Sequence, residues 1–384
     1  RESREAGNPL IAAMVTCNLA ELAMREGKLR EAQALYQEAL ELATDAEGQR
    51  MPIAGQALIG LGELAREWND LEIAERCYVE GIELTRKWGR ISAMDGYMGL
   101  ARLRQIYGDE AGADAAMHEA RALAVEFDAT EIDDWIVDMA QAQLWSIRAV
   151  AAPRRVDAIE RWIEQRELDD VTRFRAPPDR DPSMDQRMRK YEMIVVARLR
   201  LIQRRPGEAL ALVDSIQPLF EERGRVRMII EALILRALAH QLLQEQEEAL
   251  ASLQRALSLT QPEGYVRIFL DHGQPMRRLL KQAASRGLAP EYVRELLAAF
   301  GAPEQGRTEG TGLGVPPQPL LEPLSERELQ VLRLLGAGLS NPEIAEELYI
   351  AVSTVRSHCK SIYGKLNVHR RWDAVQQAQE LGLL

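Results

Sequence analysis

The sequence predicts an all-α protein: a solenoid of paired helices followed by a small four-helix module. Three observations predict it. First, small and apolar residues recur at helical spacing through residues 1–300, and their pattern returns after 42 and then 39 residues, as Ala32, Ala74 and Ala113 mark. Second, residues 301–322 lose all periodicity and gather Gly310, Gly312, Gly314, Pro316 and Pro317. Third, residues 323–384 hold short apolar stripes, each preceded by its own helix start signal.

The first repeat carries Leu19, Ala20, Ala32, Tyr36 and Ala39. The second carries Leu61, Gly62, Ala74, Tyr78 and Gly81, and the third Leu100, Ala101, Ala113, Met117 and Ala120. Small side chains at fixed places let two antiparallel helices approach closely, and the aromatic ring or methionine fills the gap to the next pair. Ala158 with Trp162 marks a fourth unit, Ala197, Ala209 and Val213 a fifth, and Ala237, Ala249, Leu253 and Ala256 a sixth. Pro177, Pro178 and Pro182 break the pattern, so Asp169–Asp185 reads as a loop ringed by arginines. A last helix, Pro290–Phe300, caps the stack. The pattern resembles tetratricopeptide repeats, with a period longer than usual. That resemblance implies a right-handed solenoid with one concave face. Glu63, Arg66, Arg102 and Gln105 occupy matching positions on first helices and are the candidate ligand-binding residues of that face. The solenoid tryptophans Trp68, Trp88, Trp135, Trp145 and Trp162 are read as interhelix packing rather than as an aromatic platform for a ligand.

Residues 301–322 read as a flexible linker. Beyond it, Ser325 and Glu328 form a capping box, Leu329, Leu332 and Leu335 a buried face, and Gly336 and Gly338 a stop. Ser340 and Glu343 form a second capping box with Pro342 in the first turn. Ile344, Ala345 and Leu348 are the apolar face that follows. A third helix runs to about Leu366 on a stripe of Val355, Cys359, Ile362 and Leu366. Between Ala351 and Arg371 stand five Lys or Arg and no acid. Arg356, Ser357 and Lys360 share one face, which suits base edges in a major groove. Thr354, His358, Lys365, Arg370 and Arg371 are the candidate phosphate contacts. A fourth helix, Trp372–Leu381, is a candidate homodimer contact.

This module resembles the helix-turn-helix domain of LuxR-type transcriptional regulators across residues 323–384. The resemblance rests on Leu324 to Glu328, Val331, Leu332, Gly338, Ser340, Asn341, Glu343, Ile344, Ala345, Leu348, Ile350, Thr354, Val355, Arg356, His358, Ile362, Lys365, Leu366, Val368, Ala374 and Val375. It implies that Arg356 and Lys360 read bases. One departure is Ala351, where the family has Ser at the cap of the recognition helix; a lost cap oxygen costs about 1 kcal/mol. Together with the repeats and the stretch from Gly264 to Gly273, the chain is similar to the MalT-like large regulators. That resemblance implies an activator that works with RNA polymerase. It also implies repeats that receive a small-molecule inducer or a regulatory protein, and a nucleotide-binding module ahead of them. The first residue is Arg1, so the chain reads as a fragment, with ATP expected only in that further module.

Charge and composition limit the other classes. The net charge of −11 is carried upstream, since residues 320–384 hold seven basic residues against eight acids, and local charge governs binding to DNA. No apolar run approaches the ~20 residues of a membrane span, and no signal peptide is legible, so the chain reads as cytoplasmic. Cys17, Cys77 and Cys359 lie far apart and read as buried thiols. The five histidines show no metal-ligand spacing, and no metal is expected. No phosphate loop and no catalytic constellation is legible, so the chain reads as a non-enzyme without a cofactor of its own. The alternative to a DNA-binding regulator is a protein-interaction scaffold with a C-terminal dimerisation module.

Overall fold

The computed structural model is helical, as the periodicity requires. It describes residues 9–86, 92–126, 130–152, 156–166, 168, 182–301, 325–336, 344–345, 347–348, 350–365 and 378. Within these, the side chains of residues 182–187, 326, 336, 352–353, 356, 360 and 363–364 lie outside the description. Contacts divide the chain into two compact units, Arg1–Arg307 and Thr308–Leu384. The expected linker, residues 301–322, lies outside the described residues apart from Gly301. Among the described residues no helix is long and apolar enough to cross a membrane.

In the larger unit the helices pair in chain order. The pairs are α1 (Pro9–Arg25) with α2 (Leu29–Leu42), α3 (Ala54–Glu67) with α4 (Leu71–Arg86), and α5 (Ser92–Ile106) with α6 (Glu110–Glu126). They continue as α7 (Glu131–Ala151) with α8 (Asp157–Gln165), α9 (Pro182–Ile202) with α10 (Pro206–Glu222), and α11 (Val226–Leu243) with α12 (Gln246–Thr260). A 3-10 turn, Gln261–Glu263, leads into α13 (Arg267–Leu270), α14 (Gly273–Ser285) and α15 (Pro290–Ala299). α9 opens on Pro182, three residues before the expected end of the proline loop at Asp185. Proline suits a first helical turn, where its missing N–H is not needed.

The repeat markers form the core because the packing needs their small size. Ala32, Ala74 and Ala113 are 0% exposed. A Cβ built on Gly99 would lie 2.3 Å from the Tyr78 ring, and one on Gly60 2.1 Å from the Tyr36 ring. Each tyrosine therefore stacks on the bare backbone of the next pair's first helix. Leu19 departs from its repeat position: it is 50% exposed.

Within five pairs the turn uses one geometry at one place, seven residues after the small marker. Gly27, Asn69, Gly108, Arg204 and Gln244 all have positive φ. After each, the next amide reaches back to a carbonyl five residues earlier, as in Lys28 N to Ala23 O at 2.9 Å and Asp70 N to Ala65 O at 2.8 Å. These are Schellman endings, and three of them are built without glycine.

The stack closes on itself. Val266 N donates to Glu67 O at 2.9 Å, and the Trp68 indole donates to Glu263 O at 2.9 Å. Arg30 donates from its amide to Glu263 Oε2 at 3.0 Å and from Nε to Pro262 O at 3.1 Å. The expected open concave groove is therefore a lumen whose first and last turns are joined.

The smaller unit contains α16 (Glu326–Gly336) and α17 (Val352–Lys365). Ser325 and Glu328 form the expected capping box: Ser325 N donates to Glu328 Oε2 at 2.7 Å and Glu328 N to Ser325 Oγ at 3.3 Å. Val331, Leu332 and Leu335 pack with Ile344, Ala345, Val355, Cys359, Ile362 and Ala378 into one buried cluster. Leu329, expected in that face, is half-buried, and Val331 takes the inner place. At Ala351 the helix starts with two backbone bonds: Thr354 N and Val355 N donate to Ala351 O at 2.9 and 3.2 Å. The second capping box at Ser340 and the body of the fourth helix lie outside the described residues.

Candidate nucleic-acid interface and repeat lumen

The apolar stripe Val355, Cys359 and Ile362 turns one side of α17 into the core. The other side is polar. Thr354 and Ser357 are exposed there, and His358 is half-buried at the margin. Arg356 and Lys360 belong to the same helix, but their side chains, and all of Arg370 and Arg371, lie outside the described residues.

Lys365 is placed differently from the expected phosphate contact. Its Nζ lies 2.9 Å from Glu328 Oε2, across from the start of α16. Ser361 Oγ donates to Glu328 Oε1 at 2.6 Å. Glu328 is only 5% exposed, and that burial pushes its carboxyl pKa up. The donors Ser361, Ser325 and Lys365 outweigh the burial and hold it at about 2. One ionised carboxylate thus caps α16 and ties it to the last turns of α17. Arg327 adds a second tie, donating to Leu348 O at 2.9 Å. Sequence reading found Glu328 as a cap only, because nothing local marks partners 33 and 37 residues away.

In the repeat unit a cavity of about 90 Å³ is lined by first helices of successive pairs, α3, α5, α7, α9 and α11, together with α13 and Asp271. This is room for several waters or a small polar group, since one water needs roughly 10–15 Å³ on this measure. The lining is charged. Arg66 and Glu67, 3% and 1% exposed, are its most buried charged members. Arg66 donates to Glu67 Oε1 at 2.6 Å, and Arg227 donates to the same oxygen at 2.9 Å. Arg66 also lies 3.5 Å from Glu63 and 3.8 Å from Asp271. Glu63 accepts from Tyr78 Oη at 2.7 Å and from Arg102. Burial raises the Glu63 carboxyl, but Arg102 and Arg66 overcome it and hold the group at about 2. Arg198 binds Glu231 and donates to Ser146 Oγ at 3.2 Å. Burial raises Glu231 too, and Arg198 with His272 holds it well below the usual carboxylate range. Burial lowers the pKa of His272, with Arg198 acting in the same direction.

Of the four expected ligand residues, the structure gathers three. Arg66 and Arg102 line the cavity, and Glu63 bridges them. Gln105 turns aside to accept from Arg148. Sequence reading missed Glu67, Arg198, Arg227, Glu231 and Asp271. Arg198 had a signal: it follows the marker Ala197 as Glu63 follows Gly62 and Arg102 follows Ala101. The described tryptophans serve packing. The indole N–H groups of Trp68 and Trp135 bind Glu263 O and Glu192 Oε1, Trp162 is buried, and none of these lines the cavity.

Comparison with known proteins extends this picture over the chain. Residues 1–286 match the model of the MalT-like TPR region, and residues 322–378 match that of the bacterial regulatory proteins of the luxR family. The chain is 25% identical over 394 residues to the HTH-type transcriptional regulator MalT of Yersinia enterocolitica serotype O:8 and 24% identical over 395 residues to that of Serratia proteamaculans. Both alignments cover 94% of this chain, which spans only 40% of the length of these relatives. The paired-helix stack, the α16–α17 module and these matches agree: the chain belongs to the MalT-like family, with a MalT-type TPR region followed by a luxR-family domain.

Proposed function

We propose that the chain is the signal-receiving and DNA-binding part of a transcriptional activator. Arg356, Ser357 and Lys360 read bases in the major groove, and Thr354, His358, Arg370 and Arg371 hold phosphates. Lys365 acts mainly as a brace for α17 through Glu328. The observation that carries this reading is α17 itself. One side is locked into the core, the opposite side exposes Thr354 and Ser357, and the sequence from Ala351 to Arg371 contains no acid to repel a phosphate backbone. Paired half-sites and a dimer on DNA follow from the small number of base contacts one such helix can make. Contact with RNA polymerase, and ATP binding by residues beyond this chain, belong to the same proposal.

The lumen is the proposed receiving site for a small polar inducer, with Arg66, Arg102 and Glu63 among its contacts. Its charged lining supplies both donors and acceptors, and Glu67 Oε2 is buried there without a hydrogen bond. The test of the DNA reading is Arg356→Ala. Specific binding weakens by about 1–3 kcal/mol and base preference relaxes at one position of a selected site. Binding selection followed by gel shift reads both, and an unchanged preference removes Arg356 from the interface.

A further inference from the structure

We propose that the lumen takes a small hydroxycarboxylate, a molecule with one carboxylate, a short apolar body and one hydroxyl group; this rests on the lumen being the receiving site.

Charge comes first. Arg66, Arg102, Arg198 and Arg227 line the cavity against Glu67, Glu231 and Asp271. Glu63, which bridges Arg66 and Arg102, and Arg267, which holds Asp271, belong to the same network. That sets five guanidiniums against four carboxylates. His272 adds no charge at neutral pH, because burial and Arg198 lower its pKa. One positive charge is left over in a buried place, and a ligand carboxylate supplies the missing partner.

Hydrogen bonding points the same way. Nε of Arg66, of Arg102 and of Arg198 is buried without an acceptor among the described residues, and Arg66 and Arg198 are 3% and 8% exposed. Arg227 donates to Glu67 Oε1, an oxygen that it shares with Arg66, and to no other acceptor among the described residues. Against these donors the lining holds one buried acceptor without a bond, Glu67 Oε2. A guanidinium has donors only, so acceptor oxygens must come from the ligand. A carboxylate presents two of them at the spacing of a guanidinium fork. One hydroxyl then donates to Glu67 Oε2.

The rest of the lining disfavours a ligand that is polar all round. Ile147, Ile194, Val195, Met228 and Ile268 belong to it. A bare phosphate or a fully hydroxylated molecule would leave polar groups unpaired against them. At about 10–15 Å³ for each water-sized group, the cavity of about 90 Å³ holds roughly six to nine non-hydrogen atoms.

Titration calorimetry on the full chain tests this with β-hydroxybutyrate as the probe. The comparison ligands are butyrate, the butanediol that lacks the carboxylate, inorganic phosphate and glucose. The hydroxy acid binds saturably, butyrate binds more weakly, and the uncharged diol, phosphate and glucose bind at least about ten-fold more weakly than the hydroxy acid. Arg227→Gln leaves Glu67 paired with Arg66, so the fold persists, and it removes the preference for the acid over the diol. Diol, glucose, phosphate or butyrate binding as tightly as the hydroxy acid overturns the proposal. So does a preference that survives Arg227→Gln, or binding by none of the five. The receiving site itself is tested apart. Gln143→Trp places a ring at the exposed part of the lining. If signal-dependent transcription is then unchanged, the lumen receives no ligand of any class; if it is lost while the hydroxy acid fails to bind the original chain, only the ligand assignment falls.

Discussion

The two units handle buried charge in opposite ways. The repeat unit turns ionised side chains inward, where Arg66, Arg198 and Arg227 pair with Glu67, Glu231 and Asp271 along the lumen. Among the described residues the luxR-family unit has an apolar core and a buried carboxylate, Glu328, that braces two helices, with a polar side of α17 exposed. The contrast also separates how the units fail. A buried ion pair adds little net stability over apolar packing, but removing one partner strands a charge in a low-dielectric interior.

The largest expected effect follows from that asymmetry. Glu67→Ala leaves Arg66 and Arg227 without their shared acceptor and destabilises the repeat unit by about 3–5 kcal/mol, read by denaturant unfolding, with hydrogen exchange in α16 and α17 unchanged. Next comes packing. Gly99→Ala forces a methyl group against the Tyr78 ring and costs about 1–3 kcal/mol. Tyr78→Leu in the same chain recovers part of that loss, and strict additivity of the two changes would refute the contact.

Acid separates the units further. Carboxylates held below their ordinary value stabilise the fold above that value and lose this contribution as the pH falls. For Glu328 and Glu63 the window runs from pH 4.5 down to about 2. Exchange in both units quickens over that range, and Glu328→Gln flattens the response of α16 and α17 alone. The smallest effect belongs to the exposed rim of the closure. Arg30→Ala removes its Nε bond to Pro262 O but keeps the amide bond to Glu263, and shifts stability by no more than about 1 kcal/mol. A loss of several kcal/mol would show that the closure depends on Arg30 rather than on the buried Val266–Glu67 contact.

Local pattern made much of this legible. Ala32, Ala74 and Ala113 could be placed between helices because close approach requires a small residue there wherever the pair sits. The Ser325–Glu328 box could be read because both partners lie within one helical turn. The helix turns were harder: Asn69, Arg204 and Gln244 adopt the left-handed conformation that glycine signals at Gly27 and Gly108, so residue type did not mark them.

By itself, then, the sequence determined the paired helices, their order, the apolar face of each and the polar side of α17. These depend on residues within about one helical turn of each other, or on a repeated offset, and both are written in the chain. The tertiary structure decided that Glu263 and Val266 meet Arg30, Glu67 and Trp68, that the groove becomes a charged lumen, and that Lys365 reaches Glu328. Closure of a stack depends on the rotation accumulated over many pairs, a sum of small packing angles that no single repeat records.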